Sequence, residues 1–114
     1  MTRLSEGRCE ACDAGAPPVL AEERDRWLQE IPHWTVVDSD TVPKLERVFK
    51  FSNFAQALDF TNRVGALAEE QNHHPALLTE WGRVTVRWWT HKIKNLHRND
   101  FVMAARCDQL APQD

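Results

Sequence analysis

The chain has 114 residues, 42% of them hydrophobic and 27% charged, and a formal net charge of −3 at pH 7. That length allows one domain with a real core and is too short for two. Because the basic residues are scattered and the net charge is negative, a surface that neutralises nucleic-acid phosphates is not expected. No apolar run approaches the roughly 20 residues that span a bilayer, and residues 1–15 lack the apolar middle of a secretory signal. We therefore expect a cytoplasmic protein that binds no membrane.

The first part of the chain, residues 1–18, is predicted to be an N-terminal arm, followed by a folded domain over residues 19–114. The arm carries a Cys9-x2-Cys12 pair. A single CxxC can be redox-active or half of a zinc site, but no second pair follows, and Cys107 alone does not complete four ligands. An odd number of cysteines fits free thiols in a reducing compartment. A thiol-containing arm is therefore favoured over a metal site.

The first half of the domain shows the periodicity of a helix and then of two strands. Apolar side chains share one helical face over residues 20–31, and Pro32 is expected to stop that helix. Short β-branched and alternating segments then predict a β-hairpin with strands at residues 34–38 and 44–51 and a turn at residues 38–40.

The longest predicted helix covers about residues 54–70. Ser52 or Asn53 is a suitable N-cap for it. Its predicted buried stripe consists of apolar or small side chains at helical spacing: Phe54, Ala57, Leu58, Thr61, Val64, Gly65, Leu67 and Ala68. Two histidines, His73 and His74, follow directly, so we expect this pair just past the end of the helix.

A second hairpin and a final helix complete the predicted domain. The strands of the hairpin, at residues 77–81 and 83–90, are separated by a turn at the glycine between them. Alternation in the second strand puts Trp89 on the same face as His91. Asn99 is expected to cap the final helix, which buries three apolar side chains: Phe101, Ala104 and Ala105.

The order of the elements (helix, two strands, helix, two strands, helix) predicts an α+β fold. Antiparallel hairpins covered by helices give a two-layer sandwich, here a four-stranded antiparallel sheet with three helices packed on one face. Such a sheet keeps exposed edges and one uncovered face, where copies of the chain can meet. We therefore expect a homodimer or a homotetramer.

Three histidines at fixed spacing, His73, His74 and His91, are the strongest functional feature of the chain. Imidazole gives or takes a proton near neutrality, so their convergence would form an acid–base site. A zinc site would need one of the adjacent pair, His91 and a further ligand such as Glu69, but the strong zinc signatures are missing. On the pattern alone, an acid–base site and purely structural histidines both remain open.

The other polar residues in this region each allow two interpretations. Glu69 could orient an imidazole or be a solvated carboxylate at the end of a helix. Asp100 could position His91 or a bound ring, or it could help to cap the final helix. His33 and His97 show no comparable partner, and we expect His33 to be structural and His97 to be solvated.

The complete spacing is more specific than any single histidine. It resembles the signature of the pterin-4a-carbinolamine dehydratases and reads Glu69-x3-His73-His74-Pro75-x5-Trp81-x9-His91-x8-Asp100. The flanking segments at residues 77–82, 84–86 and 99–105 are also similar to bacterial members. The arm resembles that of bacterial members associated with phenylalanine hydroxylase, so the resemblance covers nearly the whole chain.

The resemblance implies a hydro-lyase that expels water from 4a-hydroxytetrahydrobiopterin and yields the quinonoid dihydropterin, in cofactor recycling for phenylalanine hydroxylase. The pterin is then the substrate, and no metal or other cofactor is required. Three catalytic residues are implied. His74 and His91 would share the acid and base roles in either order, while His73 would help to place the hydroxyl.

By position, the resemblance assigns pterin binding to Asn72, Trp89 and Thr90, and supporting roles beside them to Glu69 and Asp100. Two other functions stay open. One is a dimerisation or regulatory module that affects the hydroxylase or its expression, since animal members with this fold also bind a dimeric transcription factor. The other is a metal-binding protein that uses the histidines or the cysteine pair.

Overall fold

A four-stranded antiparallel sheet organises residues 20–111, the part of the chain that the computed structural model describes. Three helices accompany it: α1 (Ala21–Leu28), α2 (Phe54–Gln71) and α3 (Arg98–Leu110). The strands are β1 (Thr35–Ser39), β2 (Val42–Lys50), β3 (Ala76–Glu80) and β4 (Arg83–Trp88), in the spatial order β1-β2-β4-β3. The predicted α+β fold is thus confirmed. The predicted arm, with Cys9 and Cys12, lies outside the described residues.

One face of the sheet forms the core together with α2 and α3. Alternation along the two central strands turns the following side chains inward, and all are buried: Leu45, Phe49, Val84 and Val86. Helix α1 joins this layer through Trp27, whose ring lies 5.4 Å from that of Phe101 in α3. On the opposite face, the side chains of β2 and β4 are exposed or half-buried. None of the described helices is long and apolar enough to cross a membrane.

The pairing of β3 with β4 decides which connecting segments meet. The two strands run antiparallel, with Ala76 opposite Arg87 and Glu80 opposite Arg83. The residues that precede β3 therefore lie beside those that follow β4. These are the two segments that carry the predicted histidines.

The first helix ends earlier than predicted, and the first turn lies later. Helix α1 stops at Leu28, well before Pro32, because the following turns direct the side chain of Ile31 into the core, where it is fully buried. The turn between β1 and β2 falls at Asp40 and Thr41, whose φ angles are 54° and 65°. Positive φ at both central residues suits a two-residue hairpin turn, because it matches the twist of the strands.

The buried face of α2 is rotated relative to the predicted stripe. Phe54 and Leu58 remain 45% and 42% exposed, so their predicted burial is wrong. Phe60, which the prediction omitted, is buried and packs against Phe49 with ring centroids 4.5 Å apart. The buried face of α2 is therefore the one that carries Ala57, Phe60, Val64 and Ala68. The predicted cap is confirmed at Asn53, whose side chain accepts a hydrogen bond from the first turn.

Gly65 offers a direct test of helix propensity in α2. A Cβ at this position would meet nothing within 4 Å. Because alanine loses less conformational entropy than glycine, we expect Gly65→Ala to raise the free energy of unfolding by about 0.5–1 kcal/mol in urea denaturation. Gly82 is the matched control, since its φ is +78° and a Cβ there would lie 3.3 Å from the carbonyl oxygen of Phe51. Gly82→Ala should destabilise, and a Gly65→Ala protein no more stable than the wild type would contradict the prediction.

Candidate active site

The backbone at Asn72 separates the two adjacent histidines. Asn72 takes the left-handed conformation, with φ 52° and ψ 42°, and ends α2. Its amide donates to the carbonyl of Glu69, and the amide of His73 donates to that of Ala68, which is the hydrogen-bond pattern of a Schellman cap. The chain then turns so that His73 is buried, whereas the side chain of His74 stays 51% exposed. Neighbours in sequence thus have different environments.

His73 is held by a buried carboxylate. Its Nε2 lies 2.6 Å from Oδ1 of Asp100, and its ring is stacked on that of Trp88, with centroids 5.7 Å apart and planes inclined by 7°. The second carboxylate oxygen of Asp100 accepts hydrogen bonds from the hydroxyl of Thr90, at 2.9 Å, and from the amide of His97, at 2.8 Å. With three donors, the buried carboxylate is well compensated for the loss of water.

Asp100 also caps α3, together with His97. Nδ1 of His97 accepts from the amide of Asn99 at 3.1 Å, and Asp100 accepts from the amide of His97, which completes a capping box. The predicted cap at Asn99 and the predicted solvation of His97 are therefore wrong, since His97 is buried and is itself the N-cap. Histidine is not a usual N-cap, but an imidazole nitrogen can accept this bond as an Asn oxygen does. Of the two interpretations of Asp100, the capping one is observed. Its imidazole partner is His73 rather than His91.

His91 lies on the accessible side, next to His74. Its Nε2 is 3.1 Å from the carbonyl oxygen of His74. Because a carbonyl oxygen only accepts, Nε2 carries the proton, and the lone pair of the neutral ring is on Nδ1. Trp89 stacks on His91, with centroids 4.3 Å apart and an interplanar angle of 29°, so the predicted common face of these two residues is confirmed. The ammonium of Lys44 lies 4.3 Å from the centroid of Trp89.

The remaining predicted site residues fall in three different places. Glu69 is exposed, and its carboxylate lies 3.5 Å from Nε2 of His74. Thr90 is buried and turns its hydroxyl to Asp100, so its contact with a pterin stays a prediction. Trp81, part of the sequence signature, is 72% exposed at the opposite end of the β3–β4 hairpin.

Sequence reasoning missed Lys44. The register of β2 and β4 pairs Leu45 with Trp88, which places Lys44 opposite Trp89 one position further along. Because α2 and β3 separate these two strands in the chain, no local sequence pattern predicts their pairing. The only local hint is that Lys44 alternates with the buried Leu45 and so belongs to the open face.

The described residues do not assemble a metal-binding cluster. Within residues 20–111, no group of three or more His, Cys, Asp or Glu side chains is arranged to hold a metal ion. Cys107 is buried in the core, and this burial raises the pKa of its thiol. A buried, protonated thiol is a poor ligand and a poor nucleophile.

Comparison with known proteins agrees with this architecture. Residues 17–110 match the family described as pterin 4 alpha carbinolamine dehydratase. Two curated proteins are each 58% identical over 110 residues, which is 96% of this chain, and both are provisionally named pterin-4-alpha-carbinolamine dehydratases. They come from Syntrophotalea carbinolica and Nitrosococcus oceani and are covered to 98% and 97% of their lengths.

Two solved structures share the fold. One is a transcriptional coactivator/pterin dehydratase from Brucella melitensis, with a TM-score of 0.76 and 27% identity over 84% of this chain and 100% of that one. The other is a pterin dehydratase-like protein identified as a RuBisCO assembly factor in the alpha-carboxysome. It has a TM-score of 0.59 and 26% identity over 71% of this chain and 92% of that one.

These matches define the class of the protein as a dehydratase, a hydro-lyase, which confirms the predicted class of enzyme. The chain belongs to the pterin 4 alpha carbinolamine dehydratase family.

The stability of the site should depend strongly on Asp100. In Asp100→Asn, one oxygen is replaced by an amide that cannot accept, so at least one buried donor loses its partner. We expect the free energy of unfolding to fall by about 2–3 kcal/mol in urea denaturation. Thr90→Val is the matched control, because it removes one of the same hydrogen bonds, and it should cost about 1 kcal/mol. An Asp100→Asn protein no less stable than Thr90→Val would show that the carboxylate does not hold this network together.

Proposed function

We propose that this chain dehydrates a pterin-4a-carbinolamine, 4a-hydroxytetrahydrobiopterin, by histidine acid–base catalysis. The observation that carries the proposal is the pairing of His91 with the backbone of His74. It joins the two segments that carry these exposed histidines and directs the proton of His91 away from its Nδ1. The family membership and the signature spacing support the same chemistry.

The reaction needs two proton transfers and no change of oxidation state. One proton is delivered to the 4a-hydroxyl as the C4a–O bond breaks, and another is removed from N5 as the N5=C4a double bond forms. The products are water and the quinonoid dihydropterin. Two imidazoles in different protonation states can do both, because each can act as acid or base near neutral pH.

We assign the base role to His91 and the acid role to His74. Nδ1 of His91 is the nitrogen with a lone pair when Nε2 donates to the carbonyl, so it can accept the N5 proton. The exposed ring of His74 lies beside Glu69, toward which a protonated ring can donate from Nε2 while Nδ1–H faces a hydroxyl. His73, bound to the buried Asp100, is suited to hold the hydroxyl group in place rather than to exchange protons with solvent.

The pterin is proposed to lie against Trp89, with Asn72 and Thr90 beside it. The half-buried indole of Trp89 is stacked with His91, so it borders the place where a flat heterocycle would meet the proposed base. We further propose that no metal or other cofactor takes part, because two proton transfers suffice to expel the 4a-hydroxyl as water without a change of oxidation state. The product would be recycled by a reductase, and the tetrahydropterin would serve phenylalanine hydroxylase.

Removal of either imidazole should abolish most of the activity. In a stopped-flow assay of 4a-hydroxytetrahydropterin dehydration, we expect His74→Ala and His91→Ala to lose about 10²-fold or more, as is usual for a positioned acid or base. His33→Ala is the control, because His33 is exposed and lies next to the edge strand β1. Dialysis against a chelator should leave the wild-type rate unchanged. Unchanged rates in both site variants would disprove the catalytic assignment.

A regulatory module is the second candidate function, favoured by the coactivator description of the Brucella melitensis structure. The same variants separate the two functions in a host whose hydroxylase activity depends on this chain. If the chain acts as an enzyme, His74→Ala and His91→Ala will fail to restore that activity. If it acts through binding, both inactive variants will restore it.

We also propose that the chain forms a homodimer or homotetramer. Strand β3 is an edge of the sheet, and it exposes Leu78 to 56% and the adjoining Trp81 to 72%. Exposed apolar groups on an unpaired edge are a common site of association. Light scattering after size exclusion should give two or four times the chain mass of 13.2 kDa, and Leu78→Lys should shift it toward the monomer. A monomeric wild type would contradict the proposal.

A further inference from the structure

Three side chains form a continuous contact on the open face of the sheet, which we call the Lys44–Trp89–His91 cluster. The Nζ atom of Lys44 lies 4.3 Å from the centroid of the Trp89 ring, and the Trp89 and His91 rings are stacked with centroids 4.3 Å apart. The ring of Trp89 therefore contacts both Lys44 and the proposed base. Lys44 is not part of the histidine signature of the sequence, and the proposed acid–base reaction gives it no role.

The position of Lys44 is determined by the sheet. It lies within β2, between two neighbouring strands: it pairs with Val37 of β1, and the β2–β4 register places it opposite Trp89. Cross-strand neighbours at such positions have their Cβ atoms close enough for their side chains to interact. The last backbone pair of the two strands, Leu45–Trp88, thus brings the side chains of Lys44 and Trp89, one position further along, close to each other.

The nearest carboxylate on the same strand does not compete for the ammonium. Glu46 is bonded to Arg87 across the β2–β4 pair, with Oε2 and Nε 2.6 Å apart. Within residues 20–111, the ammonium of Lys44 contacts the indole ring of Trp89. A cation over the face of a tryptophan is attracted by the ring quadrupole, and Trp is the best of the aromatic residues for this interaction.

His91 needs this support because a single hydrogen bond does not fix its plane. The bond from Nε2 to the carbonyl oxygen of His74 lets the ring rotate about the bond axis, which would move Nδ1. Stacking on Trp89 removes that freedom. Trp89 itself lies one residue beyond the end of β4, so its indole depends on side-chain contacts for its orientation.

We propose that Lys44 is a positioning residue for the dehydration: its ammonium holds the indole of Trp89 against His91 and so directs Nδ1 of His91 toward the substrate. The proposal rests on the proposed function, because it concerns the efficiency of the same base. It predicts that Lys44 acts only through Trp89, and not by touching the pterin.

The first test compares the activity of Lys44→Met with that of Lys44→Arg and with that of the same substitution at a second lysine, Lys50→Met. Methionine keeps an apolar side chain of similar length but removes the charge. We expect kcat/KM to fall about two- to fivefold, the size of a partly exposed cation–π contact. Lys44→Arg should retain most of the activity, because a guanidinium also stacks on indole. Lys50 is an exposed lysine on the same strand and face, and Lys50→Met should leave kcat/KM unchanged. All three variants should still be folded under the conditions of the assay, as checked by urea denaturation.

A double-mutant cycle tests whether the effect passes through Trp89. In a Trp89→Leu background, Lys44→Met should cause no further loss, because the ring through which the ammonium acts is gone. If Lys44→Met lowers kcat/KM by the same factor in both backgrounds, Lys44 acts on the substrate directly and the proposal is wrong.

A spectroscopic measurement separates this proposal from the proposed function. The ring current of Trp89 should shift the imidazole C–H signals of His91 upfield in the NMR spectrum, and His91→Ala identifies those signals. Lys44→Met should move them toward the values of an unstacked histidine, whereas Lys50→Met should not. A wild type without dehydratase activity would disprove the proposed function, whatever the spectrum shows. If the wild type is active and Lys44→Met matches Lys50→Met in rate and spectrum, the Lys44 proposal is overturned.

Discussion

The buried carboxylate of Asp100 is the interaction on which the rest of the site depends. It binds His73 at the end of α2, Thr90 after β4 and the amide of His97 at the start of α3. Three segments that are distant in sequence thus share one acceptor. Because a buried carboxylate is costly without hydrogen bonds, each of these partners is constrained by the need to satisfy it. The same residue therefore starts a helix and anchors one face of the candidate active site.

The two adjacent histidines show how a local backbone conformation divides a site into a rigid part and an accessible part. The left-handed Asn72 ends α2 and directs His73 to Asp100, while His74 remains beside solvent and beside His91. Preorganisation favours this division, since groups that are held by packing need not reorganise during the reaction. The accessible imidazoles can then exchange protons with substrate and water.

The sequence predicted the order of the elements and the alternation of β4, because these depend on local periodicity and spacing. It failed at two places, one decided by a tertiary contact and the other by a local capping box. Phe60 replaced Phe54 and Leu58 on the buried face of α2, and His97 replaced Asn99 as the cap of α3. Phe49, against which Phe60 packs, lies in β2, whereas the cap of α3 is a local capping box between His97 and Asp100 that the preference for Asn at an N-cap did not indicate.

The sequence by itself determined the family, the α+β architecture and the common face of Trp89 and His91, since alternate side chains of an extended chain lie on one side even beyond Trp88, where β4 ends. Only the tertiary structure decided which histidine Asp100 binds and that Lys44 faces Trp89. The physical reason is that β2 and β4 become neighbours only when the β1–β2 and β3–β4 hairpins join into one sheet. That pairing depends on the burial of side chains from the whole domain, and no short segment encodes it.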